Sequence, residues 1–156
     1  MAIHLLAAAA AAPASLYETV RQFVSDYKVH PILVNFTAAL IPVSFVSDVL
    51  NRISGKTSLR DTGWWTLCFA AIVTPFTALA GWFFWNGEMD DGVRGMTIHK
   101  WLGTSLAVLL VGFVVWRWWF FKHDRRPNIA YLLVALAVVA AVVYQGHLGG
   151  EQSFMM

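Results

Sequence analysis

Three histidines stand at the ends of long apolar segments: His30 in Val-His-Pro, His99 in Ile-His-Lys and His147 in Gly-His-Leu. A neutral imidazole is a common protein ligand for iron, copper and zinc. The other two histidines have different surroundings, because His4 lies in an alanine-rich start and His123 lies among charged residues. We expect those two at the solvent or the membrane interface, and we take the first three as candidate ligands.

The three candidate histidines lie at one depth when each is measured from the opposite end of its own apolar segment. They are about 20 residues from Leu50, about 22 from Phe121 and about 19 from Asn128, respectively. At about 1.5 Å per helical residue these separations are about 30, 33 and 28 Å. We therefore expect three segments to bring their imidazoles together in one layer.

The composition shows what kind of protein positions these residues. Of 156 residues 58% are apolar and only 13% are charged, with a mean hydropathy of +0.60, which is typical of a membrane protein. A net charge of +2 with no basic stripe argues against a nucleic-acid partner. The single cysteine, Cys68, excludes an internal disulfide, a Cys-rich zinc site and covalent attachment of a c-type haem within the chain.

Apolar runs of membrane-spanning length recur four times. Pro31 suits the first turn of the first span, Asp48 stands near its end, and glycines mark the end of the fourth. Short hydrophilic loops make successive spans antiparallel. The sequence therefore predicts an all-α integral membrane protein, a four-span antiparallel bundle over residues 29–151 with a tail at 152–156 and spans at about 31–50, 64–86, 97–121 and 128–147.

The first 28 residues form a separate N-terminal segment. An alanine-rich stretch too short to span a membrane comes first, and we expect it to lie on or beside the bundle. From Ser15, a suitable N-cap, apolar residues recur at helical spacing with polar residues opposite them. This pattern predicts an interfacial amphipathic helix, which either packs on the rim of the protein or docks a partner.

The distribution of basic residues predicts the orientation. Seven of them lie between spans one and two or between three and four: Arg52, Lys56, Arg60, Arg117, Lys122, Arg125 and Arg126. Four lie towards the other face: Arg21, Lys28, Arg94 and Lys100. Cytoplasmic loops carry an excess of Lys and Arg. We therefore expect a multi-pass protein of the bacterial inner membrane, with both termini and the three histidines on the periplasmic side.

Haem b is the cofactor that we expect at the histidines, because haem iron takes axial imidazoles and a four-helix bundle accepts a porphyrin between its helices. Arg94 and Lys100 are suitable cations for the propionates. The alternative is copper or zinc bound by all three imidazoles, with Met89, Met96, Met155 and Met156 as further copper ligands. With Asp48 placed at a span end, no intramembrane carboxylate is expected, which argues against a proton-coupled pump.

Three motifs resemble a known family: His30-Pro31 to Leu40, Ile98-His99 to Gly103, and Gly146-His147 to Glu151. In order and spacing they resemble the bacterial membrane family called domain of unknown function 2231 (DUF2231), over roughly residues 28 to 151. Relatives in that family are fused to cytochrome c or Rieske-type modules, which implies redox work near the outer face. The family's first motif usually has a second histidine where this chain has Asn35.

We therefore expect a membrane electron carrier or redox subunit without substrate turnover of its own. His99 is the foremost predicted ligand, and His30 and His147 compete for the second axial position. The expected partners are the lipid bilayer, a periplasmic cytochrome c or other redox protein, and a larger membrane complex or further copies of the chain. Two alternatives stay open, a non-catalytic accessory subunit and a copper- or zinc-handling protein.

Overall fold

The computed structural model describes residues 15–84 and 95–153. The predictions for the alanine-rich start, for Arg94, and for Met89, Met155 and Met156 lie outside these residues. Within them the chain forms five helices: α1 (Leu16–Asp26), α2 (Val29–Ser54), α3 (Thr57–Phe84), α4 (Met96–Lys122) and α5 (Ile129–Ser153).

Four of the five helices, α2 to α5, are long and apolar enough to cross a membrane. Each has at least 25 residues, which at about 1.5 Å per residue exceeds a hydrocarbon core of about 30 Å. Their outward faces carry large exposed apolar side chains, such as Phe76 on α3 and Val108 on α4, as lipid-facing helices do. The prediction of an all-α, four-span bundle is confirmed.

The four long helices form a ring in which α2 contacts α3 and α5, and α4 also contacts α3 and α5. Among the described residues α2 makes no backbone contact with α4, and α3 makes none with α5, so these are the diagonal pairs. One end of the bundle contains the starts of α2 and α4, with His30 and His99; we call it the histidine end. The other contains the α2–α3 turn at Gly55 and the α4–α5 loop at residues 123–128; we call it the basic end.

The turn between α2 and α3 is tighter than the sequence predicted. Gly55 caps α2 with a left-handed φ of 74°, a conformation that a glycine adopts without a Cβ clash, and its N–H donates to the carbonyl of Asn51. Helix α3 then begins at Thr57, ahead of the expected start near residue 64. Arg60 consequently lies on a helix instead of in a loop.

The end of α5 also differs from the prediction. The glycines at 146, 149 and 150 were expected to end the fourth span, yet α5 continues through them to Ser153. A helix tolerates glycine where packing compensates for the lost propensity. Gly149 has such a role, because the ring of His99 packs against it.

Helix α1 begins at the predicted cap. The Ser15 hydroxyl accepts from the Glu18 N–H, and the Glu18 carboxylate accepts from the Ser15 N–H, which completes a capping box. These hydrogen bonds lower the pKa of the Glu18 carboxyl. Helix α1 packs on α2 and α3 at the histidine end, with Val24 buried and the Tyr17 ring 5.6 Å from that of Phe83. The predicted amphipathic helix is therefore present and lies against the bundle.

Candidate functional site

His30 is the second residue of α2, and its ring reaches across to α3. Its Nδ1 lies 2.9 Å from the carbonyl oxygen of Thr77. The ring packs over Gly81, where an added Cβ would lie 3.0 Å from the ring atom Cε1. Because a carbonyl oxygen only accepts hydrogen bonds, this contact places the proton of a neutral ring on Nδ1 and the lone pair on Nε2.

His99, one turn into α4, has the matching arrangement with α5. Its Nδ1 lies 3.2 Å from the carbonyl oxygen of Gln145, and its ring packs over Gly149, where an added Cβ would again lie 3.0 Å from Cε1. The Gln145 side chain returns the contact by donating from Nε2 to the His99 carbonyl at 2.8 Å. Residue 99 is thus held through both its ring and its backbone, and its lone pair also lies on Nε2.

The two rings lie close to each other across the diagonal of the bundle. Their centroids are 6.3 Å apart and their planes are inclined by 82°. Two imidazoles that bind one metal ion from opposite sides, with metal–nitrogen distances of about 2 Å, have centroids roughly 6 Å apart. The spacing of His30 and His99 is therefore the spacing of a two-imidazole metal site.

A cavity of about 340 Å³ adjoins the two imidazoles and is lined by all four long helices. This volume is within the range of cofactor and small-molecule sites, roughly 300–1,000 Å³. Much of its wall consists of small residues that leave room beside the rings: Ala38, Ala78, Gly81, Gly103, Gly146, Gly149 and Gly150. The glycines of α5 thus belong to the site, although the sequence had suggested that they end the helix.

The cavity wall carries both hydrogen-bond acceptors and hydrogen-bond donors. The hydroxyl of Thr37 lies 3.3 Å from those of Thr74 and Thr77, which also donate to the carbonyls of the preceding helical turn. Oε1 of Gln145 is buried and has no hydrogen-bond partner among the described residues, while the amide nitrogen donates to the His99 carbonyl. Neutral imidazoles are ligands suited to a transition metal, and Oε1 of Gln145 adds an acceptor, unpartnered among the described residues, at the cavity wall.

The remaining predicted site residues are distributed unevenly around the cavity. Lys100 is buried at its wall, with its ammonium 5.3 Å from the ring centroid of Trp82. Asn35 also lines the cavity from α2, on the exposed side of that helix. Arg94 lies outside the described residues.

His147 lies apart from the other two histidines. Its side chain is 62% exposed and its Nε2 is 3.3 Å from the Glu151 carboxylate one turn along α5. It does not line the cavity. The expected meeting of three imidazoles is therefore wrong for His147, because α5 continues as a helix and turns residue 147 outward while Gln145 and Gly149 face inward.

The described residues bring two strong metal ligands together at this site. Within the described parts of the chain, no three residues of the types His, Cys, Asp and Glu come close enough to hold an ion. Structural zinc sites need four protein ligands and catalytic ones need three. Haem iron needs at most two from the protein, because the porphyrin supplies the other four, so the donor set fits haem better than a bare zinc ion.

A second polar cluster, near the basic end, was missed at the sequence level. Asp48 and Arg117 are fully buried and form a two-point ion pair, in which Nε and Nη2 of Arg117 donate at 2.9 and 2.7 Å. Nη2 also donates to the carbonyl of Arg60 at 3.1 Å, and the buried Tyr131 side chain lies beside Asp48. The expectations of Asp48 at a span end and Arg117 at the cytoplasmic interface are therefore wrong. Asp48 and Arg117 are each a lone charge inside an apolar run near the same end of the bundle. Their shared depth is the sequence feature that could have predicted the ion pair.

Comparison with known proteins gives one finding. A family model described as "Predicted membrane protein (DUF2231)" matches residues 27–156, which is most of the chain. No curated protein and no solved structure matches.

Proposed function

This chain belongs to the family of predicted membrane proteins DUF2231, and we propose that it binds one b-type haem between His30 and His99 and carries single electrons in the bacterial inner membrane. The observation that carries the proposal is the paired arrangement of the two imidazoles. Each donates from Nδ1 to a backbone carbonyl of the neighbouring helix, and the two centroids are 6.3 Å apart.

The Nδ1 hydrogen bonds are the kind of support that metal-ligating histidines have. A hydrogen bond from the second ring nitrogen fixes the tautomer and the ring orientation, and it makes the ligating nitrogen more basic. Here the carbonyls of Thr77 and Gln145 do this for His30 and His99. Because both carbonyls belong to rigid helices, the two rings are oriented before any ligand binds, which lowers the entropic cost of binding.

The two diagonal pairs of helices contribute different groups to the site. Helices α2 and α4 supply the imidazoles, while α3 and α5 supply the carbonyls and the glycines that leave space beside the rings. Lys100 provides a cation at the cavity wall for a haem propionate, and Arg94 stays a predicted second one. When bound, the haem supplies reversible one-electron chemistry at its iron.

Membrane orientation follows from the cations that remain near the surface. Arg117 and Lys100 are both buried and leave the count of interfacial cations, so six basic residues lie at the basic end against three towards the other, namely Arg21, Lys28 and, by its place in the sequence, Arg94. The positive-inside rule then places the basic end in the cytoplasm and the histidine end with both termini in the periplasm. A site on that side suits electron exchange with a periplasmic cytochrome c or a redox module of a larger complex, the partners that the fused relatives suggest.

Absorption spectroscopy of the purified protein tests the proposal. We expect about one haem per chain and a low-spin reduced-minus-oxidised spectrum, lost in His99→Ala and in His30→Ala. His147→Ala is the matched control, because it removes an exposed imidazole of the same layer. It should retain the haem and its spectrum.

Other outcomes would replace the proposal. Full occupancy with an unaltered low-spin spectrum in His99→Ala would refute it. A colourless protein that binds about one copper or zinc ion, lost in both His30→Ala and His99→Ala, would indicate metal handling. If the purified protein contains neither a chromophore nor a metal, the remaining interpretation is an accessory subunit of a membrane assembly, or a homo-oligomer. The imidazoles would then have a structural role.

A further inference from the structure

The basic end carries more cations than its carboxylates can neutralise. It contains the seven basic residues of the two loops and helix ends, but its only acidic residues are Asp48, Asp61 and Asp124. Asp48 is paired with Arg117, and the other two are both paired with Arg60. In the described part of the chain, no carboxylate forms an ion pair with Arg52, Lys56, Lys122, Arg125 or Arg126.

Two of these cations lie at the same junction between the end of α2 and the α4–α5 loop, where each contacts a backbone carbonyl of the other's segment. Arg52, in the last turn of α2, donates from Nη1 to the carbonyl of Pro127 at 3.2 Å. Arg126, beside that proline, donates from Nη1 to the carbonyl of Arg52 at 3.4 Å. Its guanidinium lies against Gly55 of the α2–α3 turn. We call these two side chains the arginine pair.

Two guanidinium groups at one junction without a paired carboxylate favour an anionic ligand. Each guanidinium has five N–H donors in a planar fork, and one nitrogen of each is engaged by a carbonyl, so further donors remain for phosphate oxygens. The carbonyl contacts fix both side chains in advance, so less rotamer entropy is lost on binding. Both residues are exposed and are therefore accessible from outside the protein.

The surface beside the arginine pair is apolar, as a lipid ligand requires. Helices α2 and α5 pack side by side, and near this end they expose large aliphatic side chains. Leu50 and Ile53 flank Arg52 on α2, and Ile129 and Leu133 follow Pro127 on α5. A phosphate at the arginine pair would thus have its acyl chains next to exposed apolar surface.

We propose that the arginine pair, Arg52 and Arg126, binds the phosphate of an anionic phospholipid in the leaflet at the basic end. Charge complementarity and the adjoining apolar faces of α2 and α5 favour a membrane lipid over a soluble anion. This site is independent of the haem proposal, because it lies at the opposite end of the bundle and uses none of the same residues.

Native mass spectrometry of the detergent-purified protein, titrated with phosphatidylglycerol or cardiolipin, tests the site. We expect selective retention of these lipids over phosphatidylcholine. The double substitution Arg52→Gln with Arg126→Gln should weaken retention by roughly tenfold or more. Arg52→Lys with Arg126→Lys keeps the charge but loses the fork, so an intermediate loss is expected.

The matched control is Lys56→Gln with Lys122→Gln, which removes the same charge from the same end but leaves the arginine pair intact. It should retain nearly the affinity of the unmodified protein. Equal losses in the two double variants would overturn the proposal, since they would indicate general attraction to a basic surface. Displacement of the lipid by millimolar inorganic phosphate would also overturn it, because the site would then be one for a free anion.

Misfolding of the glutamine variant is distinguished by its thermal unfolding in phosphatidylcholine-containing micelles. An unfolding temperature close to that of the control assigns the loss of lipid to the site itself. If the glutamine variant has a lower unfolding temperature than the control, the lysine variant, which retains both charges, is compared with the control instead. Undiminished lipid retention in a folded lysine variant would refute recognition by the guanidinium fork.

Discussion

The histidine end and the basic end both contain buried polar groups, but they use them differently. At the basic end Asp48 and Arg117 form an ion pair that joins α2 to α4, and Arg117 also donates to a carbonyl of α3. At the histidine end the rings of His30 and His99 bond to backbone carbonyls and border a cavity.

This difference distinguishes buried polar groups that stabilise a membrane protein from buried polar groups that bind a ligand. A charge buried in a low-dielectric core is tolerated when a partner of opposite charge and hydrogen bonds compensate its lost hydration. The basic end compensates both charges with an ion pair of its own side chains, which links α2 to α4, although Nη1 of Arg117 has no hydrogen-bond partner among the described residues. The histidine end instead borders a cavity and leaves Oε1 of Gln145 without a partner among the described residues, as expected if a ligand binds there.

The largest expected effect is loss of the buried ion pair. Asp48→Ala leaves Arg117 charged and uncompensated in the core, which should lower the free energy of unfolding by about 3–5 kcal/mol. Asp61→Ala is the control at the same end, because Asp61 is 47% exposed and its pair with Arg60 is worth at most about 1 kcal/mol. Denaturant titration in mixed micelles measures both, and equal losses would contradict a structural role for the buried pair.

A joint replacement sharpens this test. Asp48→Leu with Arg117→Met removes both charges and keeps apolar volume, so most of the stability lost in Asp48→Ala should return. If instead this variant is stable but electron transfer or haem binding is lost, the ion pair has a functional role and the contrast between the two ends fails.

Close packing at the histidine end gives the next largest effect. Gly149→Ala would place a methyl group 3.0 Å from the His99 ring and displace it, so haem affinity should fall roughly tenfold, as for other loss of ligand orientation. Gly112→Ala, in the middle of α4 and away from the cavity, meets no atom of the described residues within 4 Å and should leave affinity unchanged. Haem titration of the two purified apoproteins measures the difference, and equal affinities would contradict ring placement by Gly149.

A smaller effect is expected from Tyr131→Phe, which removes a buried hydroxyl beside Asp48 but keeps the ring stacked 4.6 Å from that of Phe113. The free energy of unfolding should fall by about 1 kcal/mol, with no change in haem spectrum. Titration in the same mixed micelles, with the spectrum recorded in parallel, checks both statements. A spectral change would show that the two ends are coupled.

The smallest effect concerns α1, which packs at the histidine end. The pKa of Glu18 is lowered because its carboxylate accepts the Ser15 N–H, so the capping box contributes stability above the usual carboxyl pKa. That contribution is lost as pH falls through the lowered pKa, and α1 should then fray at its start. A spin label at the exposed Gln22, in a Cys68→Ala background, should report increased mobility only in acid. Glu18→Gln should remove the pH dependence, and a dependence that persists would assign it to another group.

Much of the fold was predictable because the membrane imposes simple rules on the sequence. Each backbone N–H and C=O must be satisfied within the bilayer, so a long apolar run is a helix. Four such runs and the Ser15 cap therefore predicted α1 to α5. The exceptions were local, since glycine and charged residues usually mark helix ends but here lie inside α3 and α5.

Residue order alone was enough to predict the class of protein, the number of spans and the depth of His30 and His99, because hydrophobicity and helical rise depend on nothing else. The sequence could not determine in which direction each side chain points around its helix axis. Residues 145, 147 and 149 are at nearly the same depth, yet only Gln145 and Gly149 face the cavity while His147 faces outward. Likewise Asp48 and Arg117 are 69 positions apart in the chain and meet only because α2 and α4 present them to the same core. Packing of the four helices decided both matters, since each residue advances about 100° around the axis and a small rotation of a helix exchanges its buried and lipid-facing sides.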